Sequence, residues 1–164
     1  MSELDWRLVE AESPPAGSQS RKPVHDLPIE DGQTLTLGDT SVRLYFTPGH
    51  TAGTVSAVIP LRDHGKPHVA AYWGGTAIPA NIKLVDQYLA SVARFRKLAL
   101  AAGVDVLISN HPSNDLTLVR LPLMATRKPW QAHPFVLGRA GYQRSLDVLD
   151  SCVRAVKAEL PAAP

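Results

Sequence analysis

His50 is the residue whose surroundings most favour chemistry. It lies in the loop Thr47-Pro48-Gly49-His50-Thr51-Ala52-Gly53-Thr54, between an alternating apolar segment (residues 42–46) and a second apolar run that begins at residue 55. Proline restricts the backbone of such a loop and glycine permits tight turns, so the loop would aim one imidazole at the carboxyl end of a strand. A lone loop histidine is also typical of an exposed residue without a role. The neighbouring residues decide between the two interpretations.

The segment from Thr47 to Ser56 resembles the Thr-Pro-Gly-His-Thr-x-Gly-x-x-Ser motif of the metallo-β-lactamase-fold hydrolases. In that family the histidine is a protein ligand of the first of two zinc ions. The resemblance therefore implies that His50 binds metal and that Thr51 lines the site. Neutral imidazole suits zinc, and three protein ligands with one water form the usual catalytic arrangement. The fold that the resemblance implies is α/β, an αββα sandwich with a mixed sheet and flanking helices.

A second candidate ligand, His111, follows 61 residues after His50. Apolar residues at three- and four-residue steps predict a helix over residues 82–102, which Gly103 ends, and residues 104–109 read as a buried strand. Asn110 and His111 come directly after that strand. The family's last histidine ligand, for the second zinc, occupies this place in the chain, and the dipeptide His-Pro is common in its histidine-rich lactamase subclass. The resemblance thus implies that His111 binds metal, that Asn110 lines the site, and that His50 and His111 approach one another.

Gly74 and Gly75 follow a predicted strand at a position where many relatives carry a bridging aspartate. Glycine supplies no side-chain ligand, and the lactamase subclass that builds its second site from histidine and aspartate is the nearest pattern. Two structural interpretations stay open for the pair: a close backbone approach beside the site, or a simple turn. In the first, both glycines line the site.

The family's H-x-H-x-D-H motif, which supplies most of the metal ligands, is absent from the sequence. The resemblance covers roughly the second half of an αββα domain and would leave each zinc with one protein ligand of three. We therefore expect residues 1–32 to form a lead-in helix and a polar loop, and residues 33–160 to form a partial domain. One imidazole cannot hold a catalytic metal against water. We name no catalytic residue and expect zinc to bind this chain weakly or not at all.

Three functions remain open. The chain could be the truncated form of a zinc-dependent hydrolase of a β-lactam, ester, lactone or thioester, inactive alone and completed by an N-terminal half. It could be a non-catalytic remnant that binds a partner. It could also self-associate, because the full fold packs two similar halves face to face. The substrate is not determined by the fold.

Composition excludes several classes. The 164 residues are 45% hydrophobic with a net charge of +2, too mild and scattered to predict a nucleic-acid partner. No apolar run reaches the roughly 18 residues that span a bilayer. The first residues lack a basic and then apolar signal sequence, so a cytoplasmic location is expected. The single cysteine, Cys152, excludes an internal disulfide.

The remaining elements follow from periodicity. Residues 34–72 and 104–109 should form one mixed sheet covered by helices near 82–102 and 139–159. Cys152 falls beside the apolar stripe of the last helix and is interpreted as a small buried hydrophobe. His64 and His68 are interpreted as solvated hairpin residues, since a Gly-Lys-Pro break separates them.

Overall fold

The computed structural model describes residues 1–12, 21 and 23–161. Four helices and five strands follow one another along these residues in the order α1 (Glu3–Ala11), β1 (Thr34–Leu37), β2 (Thr40–Phe46), β3 (Val55–Asp63), β4 (Lys66–Tyr72), α2 (Ile82–Ala102), β5 (Val106–Ile108), α3 (Thr117–Thr126) and α4 (Gly138–Glu159). The predicted mixed sheet with its two long helices is confirmed. Part of the polar loop predicted within residues 1–32 lies outside the described residues.

The sheet keeps the order of the chain, β1-β2-β3-β4-β5. The first four strands are antiparallel neighbours, and β5 is parallel to β4 because α2 carries the chain back across the sheet. Strands β2, β4 and β5 therefore point the same way. Their carboxyl ends meet at one edge, and the segments holding His50, Gly74 and His111 all begin there.

Helices α2 and α4 pack on one face of the sheet. Their apolar positions recur every three to four residues, which places them on a single stripe facing the core. From α2 this stripe buries Val85, Tyr88, Val92, Phe95 and Ala99, and from α4 it buries Tyr142, Leu146 and Val153. Asn81 caps the start of α2 through its side chain, and Gly103 ends it in a left-handed conformation at φ 71°.

The opposite face of the sheet is only partly covered. A row of paired residues crosses it from β2 to β5: Leu44, Ala57, Tyr72 and Ile108. Ala57 is buried, whereas the other three are half-buried. The adjacent row contains Val58 and Ala71, which belong to the core under the helices. Because side chains alternate across a strand, the first row faces away from α2 and α4.

The structure corrects three sequence interpretations. Helix α3 was not predicted, because it has no apolar face toward the core and none of its residues is buried. Cys152 is exposed rather than buried, since the adjacent Val153 occupies the core-facing position of α4. His68 is 9% exposed rather than solvated, because its Nδ1 lies 2.6 Å from the Asp105 carboxylate. No helix in the described ranges is long and apolar enough to cross a membrane.

Candidate functional site

The loop that carries His50 is closed at its base and fixed to α2. The Thr47 amide donates to the Thr54 carbonyl at 2.8 Å, which joins the end of β2 to the start of β3. The Pro48 carbonyl accepts from the Ser91 hydroxyl of α2 at 2.7 Å. These bonds leave the six residues between them as a tight loop, with the His50 side chain exposed at its tip.

Two glycines of this loop allow close packing that no side chain would permit. A Cβ on Gly49, whose φ is +150°, would lie 2.6 Å from the Cβ of Tyr88. A Cβ on Gly53 would lie 2.0 Å from the Ser2 hydroxyl oxygen and 2.6 Å from the Asp5 carboxylate. Both distances are far below van der Waals contact, so the loop depends on glycine at these positions. It is pressed against α2 on one side and against the amino end of α1 on the other.

Helix α1 braces the His50 loop through Asp5. One carboxylate oxygen accepts from the Thr51 hydroxyl at 2.9 Å, and the other accepts from the Gly53 amide at 3.1 Å. Sequence reasoning missed Asp5. The only local signal was Ser2, whose hydroxyl caps the Asp5 amide at 3.2 Å. That pattern indicates a helix start and says nothing of a partner 46 residues along the chain.

The turn of Gly74 and Gly75 is a close backbone approach, the first of the two open interpretations. A Cβ on Gly74 would lie 1.8 Å from the Val55 carbonyl oxygen, and one on Gly75 would lie 2.4 Å from the His50 Cβ. The turn after β4 therefore packs directly on the His50 loop. Whether the two glycines line a working site remains a prediction.

The Gly75 carbonyl is held by two buried aromatic side chains. The Trp73 indole donates to it at 2.6 Å, and the Tyr88 hydroxyl also donates to it. Burial is the main cause that raises the pKa of Tyr88 to about 12, against a smaller opposing effect of its hydrogen bond with Trp73. The phenol consequently keeps its proton at neutral pH and remains a donor.

The His50 imidazole is oriented by a backbone carbonyl. Its Nδ1 lies 3.0 Å from the Ala77 carbonyl oxygen. A carbonyl can only accept, so Nδ1 carries the hydrogen, and in the neutral ring Nε2 keeps its lone pair. Histidines that bind metals are typically held in this way, with one ring nitrogen donating to a carbonyl or carboxylate and the other facing the metal.

The loop that carries His111 is braced by a second aspartate. Asp115 is 2% exposed, and its carboxylate accepts from the Ser109 amide at 2.9 Å and from the Thr117 amide at 3.0 Å. The His111 amide donates to the Ser109 hydroxyl at 3.1 Å, and the His111 side chain is exposed. Sequence reasoning also missed Asp115, because its partners become apparent only once the loop is folded.

One strip of backbone joins the two histidine loops. Ala77 accepts from the His50 ring, while the Thr76 hydroxyl donates to the Asn110 side chain at 3.3 Å, next to His111. The structure thus brings His50 against Gly75 and ties Asn110 to the same turn. Thr51 contacts Asp5 on the far side of the loop.

Comparison with known proteins identifies a similar sequence and several similar folds. No family model matches the sequence. A 47-residue stretch is 36% identical to hydroxyacylglutathione hydrolase from Maricaulis maris and covers 29% of this chain and 18% of that protein. A mutant of the FEZ-1 metallo-β-lactamase from Legionella gormanii superposes with a TM-score of 0.71 at 21% identity, over 86% of this chain and 54% of that one.

Two further solved structures agree. BJP-1, a subclass B3 metallo-β-lactamase of Bradyrhizobium japonicum, has a TM-score of 0.59 at 24% identity over 81% of this chain and 52% of that one. A metallo-β-lactamase from Cronobacter sakazakii has a TM-score of 0.62 at 26% identity over 81% and 50%. This chain has the metallo-β-lactamase fold. It spans about half the length of these solved lactamases and corresponds to the carboxyl-terminal half of the αββα sandwich.

The donor set of this metallo-β-lactamase-fold chain does not fit a complete zinc site. Within residues 1–12, 21 and 23–161, no group of three or more histidine, cysteine, aspartate or glutamate side chains could hold a metal ion. A catalytic zinc normally takes three protein ligands. His50 and His111 are the two candidates at this edge of the sheet, so the remaining ligands would have to come from elsewhere.

Proposed function

We propose that this chain is the carboxyl-terminal half of a zinc-dependent hydrolase that acts on a β-lactam, ester, lactone or thioester. In this proposal His50 and His111 each contribute one ligand, and a separate N-terminal half contributes the others. The small-molecule substrate would bind only to the completed site. By itself the chain would bind zinc weakly and have no hydrolytic activity.

The observation that carries the proposal is the orientation of His50. The Ala77 carbonyl fixes the ring, and the loop is braced by α1, by α2 and by the Gly75 turn. A histidine that only faces solvent has no need of this support. Bound zinc would supply a Lewis acid and an activated water. This chain's own contribution is to hold an imidazole with Nε2 available at the edge where β2, β4 and β5 end.

Zinc titration of the chain by calorimetry tests the proposal. We expect weak binding that is reduced in His50→Ala and in His111→Ala. His64→Asn is the control, because His64 lies in the β3–β4 turn and its φ of 47° suits asparagine. Binding that His64→Asn weakens as much as His50→Ala would remove the assignment of the site.

Activity assays test the second half of the proposal. A chromogenic β-lactam, an aryl ester, a lactone and an acyl thioester, each with excess zinc, should show no turnover above buffer. Zinc binding that is tight and stoichiometric, or turnover that is lost in His50→Ala, would show that the chain is complete without another half.

A second candidate function is a non-catalytic half-domain that self-associates. It is favoured by the half-covered sheet row of Leu44, Tyr72 and Ile108 and by the apolar side chains of α3, where Leu118 is 76% exposed and Val119 63%. Surfaces of this kind in soluble proteins commonly mark interfaces.

Sedimentation velocity over a range of concentrations separates the two functions. Self-association through the apolar side chains of α3 would produce a dimer that Leu118→Glu weakens. Leu37→Glu is the control, since Leu37 is 88% exposed on the edge strand β1. A monomer at all concentrations, with zinc binding that depends on His50 and His111, would favour the hydrolase half.

A further inference from the structure

A cavity of about 440 Å³ lies between β5, α4 and the two loops at residues 76–78 and 109–114. Neither His50 nor His111 lines it. Ligand-binding cavities commonly fall between about 300 and 1,000 Å³. The volume therefore suits a small molecule, and the cavity is separate from the proposed metal site.

The walls of this cavity are mostly apolar and carry no charge. Ile78, Leu107, Leu146 and Leu149 supply the apolar surface, and the polar groups around them are neutral. Among the described residues that line the cavity none is an acid, a lysine, an arginine or a histidine. A charged ligand would lose part of its hydration here without gaining a counter-charge from the lining residues, which is unfavourable. The walls thus select a neutral occupant.

Tyr142 gives the cavity a polar anchor. The residue is 1% exposed and lines the cavity, yet no group in the described part of the chain forms a hydrogen bond with its hydroxyl. Tyr88, whose exposure is 0%, contacts both Gly75 and Trp73 through its hydroxyl. The Tyr142 hydroxyl is not one of the fully buried polar atoms that lack a partner among the described residues, so it reaches the space of the cavity and can donate to a ligand there. Burial also raises the pKa of Tyr142, so the phenol remains a donor.

We propose that this cavity binds a small, uncharged, mainly apolar molecule that carries one hydrogen-bond acceptor for the Tyr142 hydroxyl. An aromatic or medium-chain acyl compound with a single carbonyl oxygen has this chemistry. The proposal does not depend on the proposed hydrolase function. The two places are nonetheless adjacent, since Thr76 and Ser109 line the cavity and bond Asn110 and His111 respectively.

Three matched probes test the chemistry of the site: 2-acetylnaphthalene, 2-ethylnaphthalene and 2-naphthoate. They share a ring system and differ in having an acceptor, no polar group, or a charge. We expect 2-acetylnaphthalene to shift the backbone NMR signals of β5 and of the start of α4. 2-Ethylnaphthalene should bind there more weakly, and 2-naphthoate should not bind there. Shifts that map to α3, or equal binding of the naphthoate, would overturn the proposal.

Variants test the role of each wall. Tyr142→Phe should weaken 2-acetylnaphthalene about threefold to tenfold, the usual effect of one hydrogen bond, and leave 2-ethylnaphthalene unchanged. Leu149→Trp should weaken binding of both by occupying part of the cavity, with Val148→Trp at its exposed rim as a second variant that is less disruptive to folding. Leu100→Trp is the control, because Leu100 is 60% exposed on α2 and does not line the cavity.

Two outcomes of this variant series contradict the proposal. In the first, Tyr142→Phe leaves the affinity for 2-acetylnaphthalene unchanged. In the second, neither cavity-filling tryptophan reduces binding. The same titrations on His111→Ala should give unaltered affinity, because the exposed His111 side chain does not line the cavity, so a failure of the metal-site proposal is distinguishable from a failure of this one.

Discussion

The Asp5 carboxylate accepts a hydrogen bond from the Thr51 hydroxyl at 2.9 Å, and this contact joins the first helix of the chain to the loop that carries its principal candidate ligand. The second carboxylate oxygen accepts from the Gly53 amide. A hydrogen bond to an ionised carboxylate is stronger than a hydrogen bond between two neutral groups. Asp5 therefore acts as a brace for the orientation of His50, although 45 residues separate the two along the chain.

Removal of this brace is the first prediction. Asp5→Ala leaves the Thr51 hydroxyl and the Gly53 amide without their acceptor, so we expect a loss of about 1–3 kcal/mol in the free energy of unfolding. Amide exchange at Gly53 should also become faster. Glu3→Ala is the control, because Glu3 lies in the same turn and makes only exposed contacts to Arg7 and His25. Urea unfolding and hydrogen exchange measure both effects, and equal changes in the two variants would contradict the role of Asp5.

The second prediction concerns the contact between Gly75 and His50. In Gly75→Ala the new methyl group would overlap the His50 Cβ, so the loop must shift and stability should fall by about 1–3 kcal/mol. The NMR signals of the His50 ring should move. Gly38→Ala serves as the control, since its Cβ meets open space and its strain comes only from a φ of +61°. His50 signals that stay in place in Gly75→Ala would contradict the contact between Gly75 and His50.

The third prediction concerns the His111 loop. Asp115→Ala removes the acceptor of the half-buried Ser109 and Thr117 amides, so a total loss of about 1–3 kcal/mol in the free energy of unfolding is expected. Residues 109–117 should lose protection from amide exchange. Asn114→Ala is the control, as Asn114 is exposed and its side chain meets only the Ser113 hydroxyl, at 3.4 Å. Unchanged exchange at Ser109 in Asp115→Ala would count against the brace.

The fourth prediction is a pH dependence of stability. Burial is the main cause that lowers the pKa of His133 below its usual 6.5, with a smaller opposing effect of Asp63. The unfolded chain therefore binds a proton at His133 more readily than the folded chain does. At pH 7 this difference has little effect. As the pH falls below about 6.5, His133 takes up a proton in the unfolded chain before it does so in the folded chain, and the free energy of unfolding decreases. This decrease ends once the pH is below the pKa of His133 in the folded chain.

His133→Gln tests that dependence by urea unfolding between pH 7.5 and pH 5. The decrease in stability should be smaller in the variant than in the original chain. His64→Asn is again the control, since the His64 side chain is 61% exposed. An identical pH profile for His133→Gln and the original chain would exclude His133 as the source.

The sequence by itself determined the strands, the two long helices and the place of the candidate histidines, but not helix α3. Period-two runs and apolar stripes gave the strands and the two long helices, because local side-chain alternation reflects which face is buried. The Thr-Pro-Gly-His segment located His50, and the strand-loop pattern located His111. These signals are local, since each is carried by residues that are neighbours in the chain.

The tertiary structure alone decided what supports those histidines. The residues next to Asp5 and Asp115 in the chain do not indicate which groups these carboxylates bind. The Ala77 carbonyl that orients His50 lies 27 residues after it in the chain. Tertiary packing also placed Cys152 at the surface, buried His68 against Asp105 and placed Tyr142 on the wall of a cavity. The physical reason is the same in each case: hydrogen bonds and burial depend on which residues meet in space, and the order of the chain constrains this only weakly.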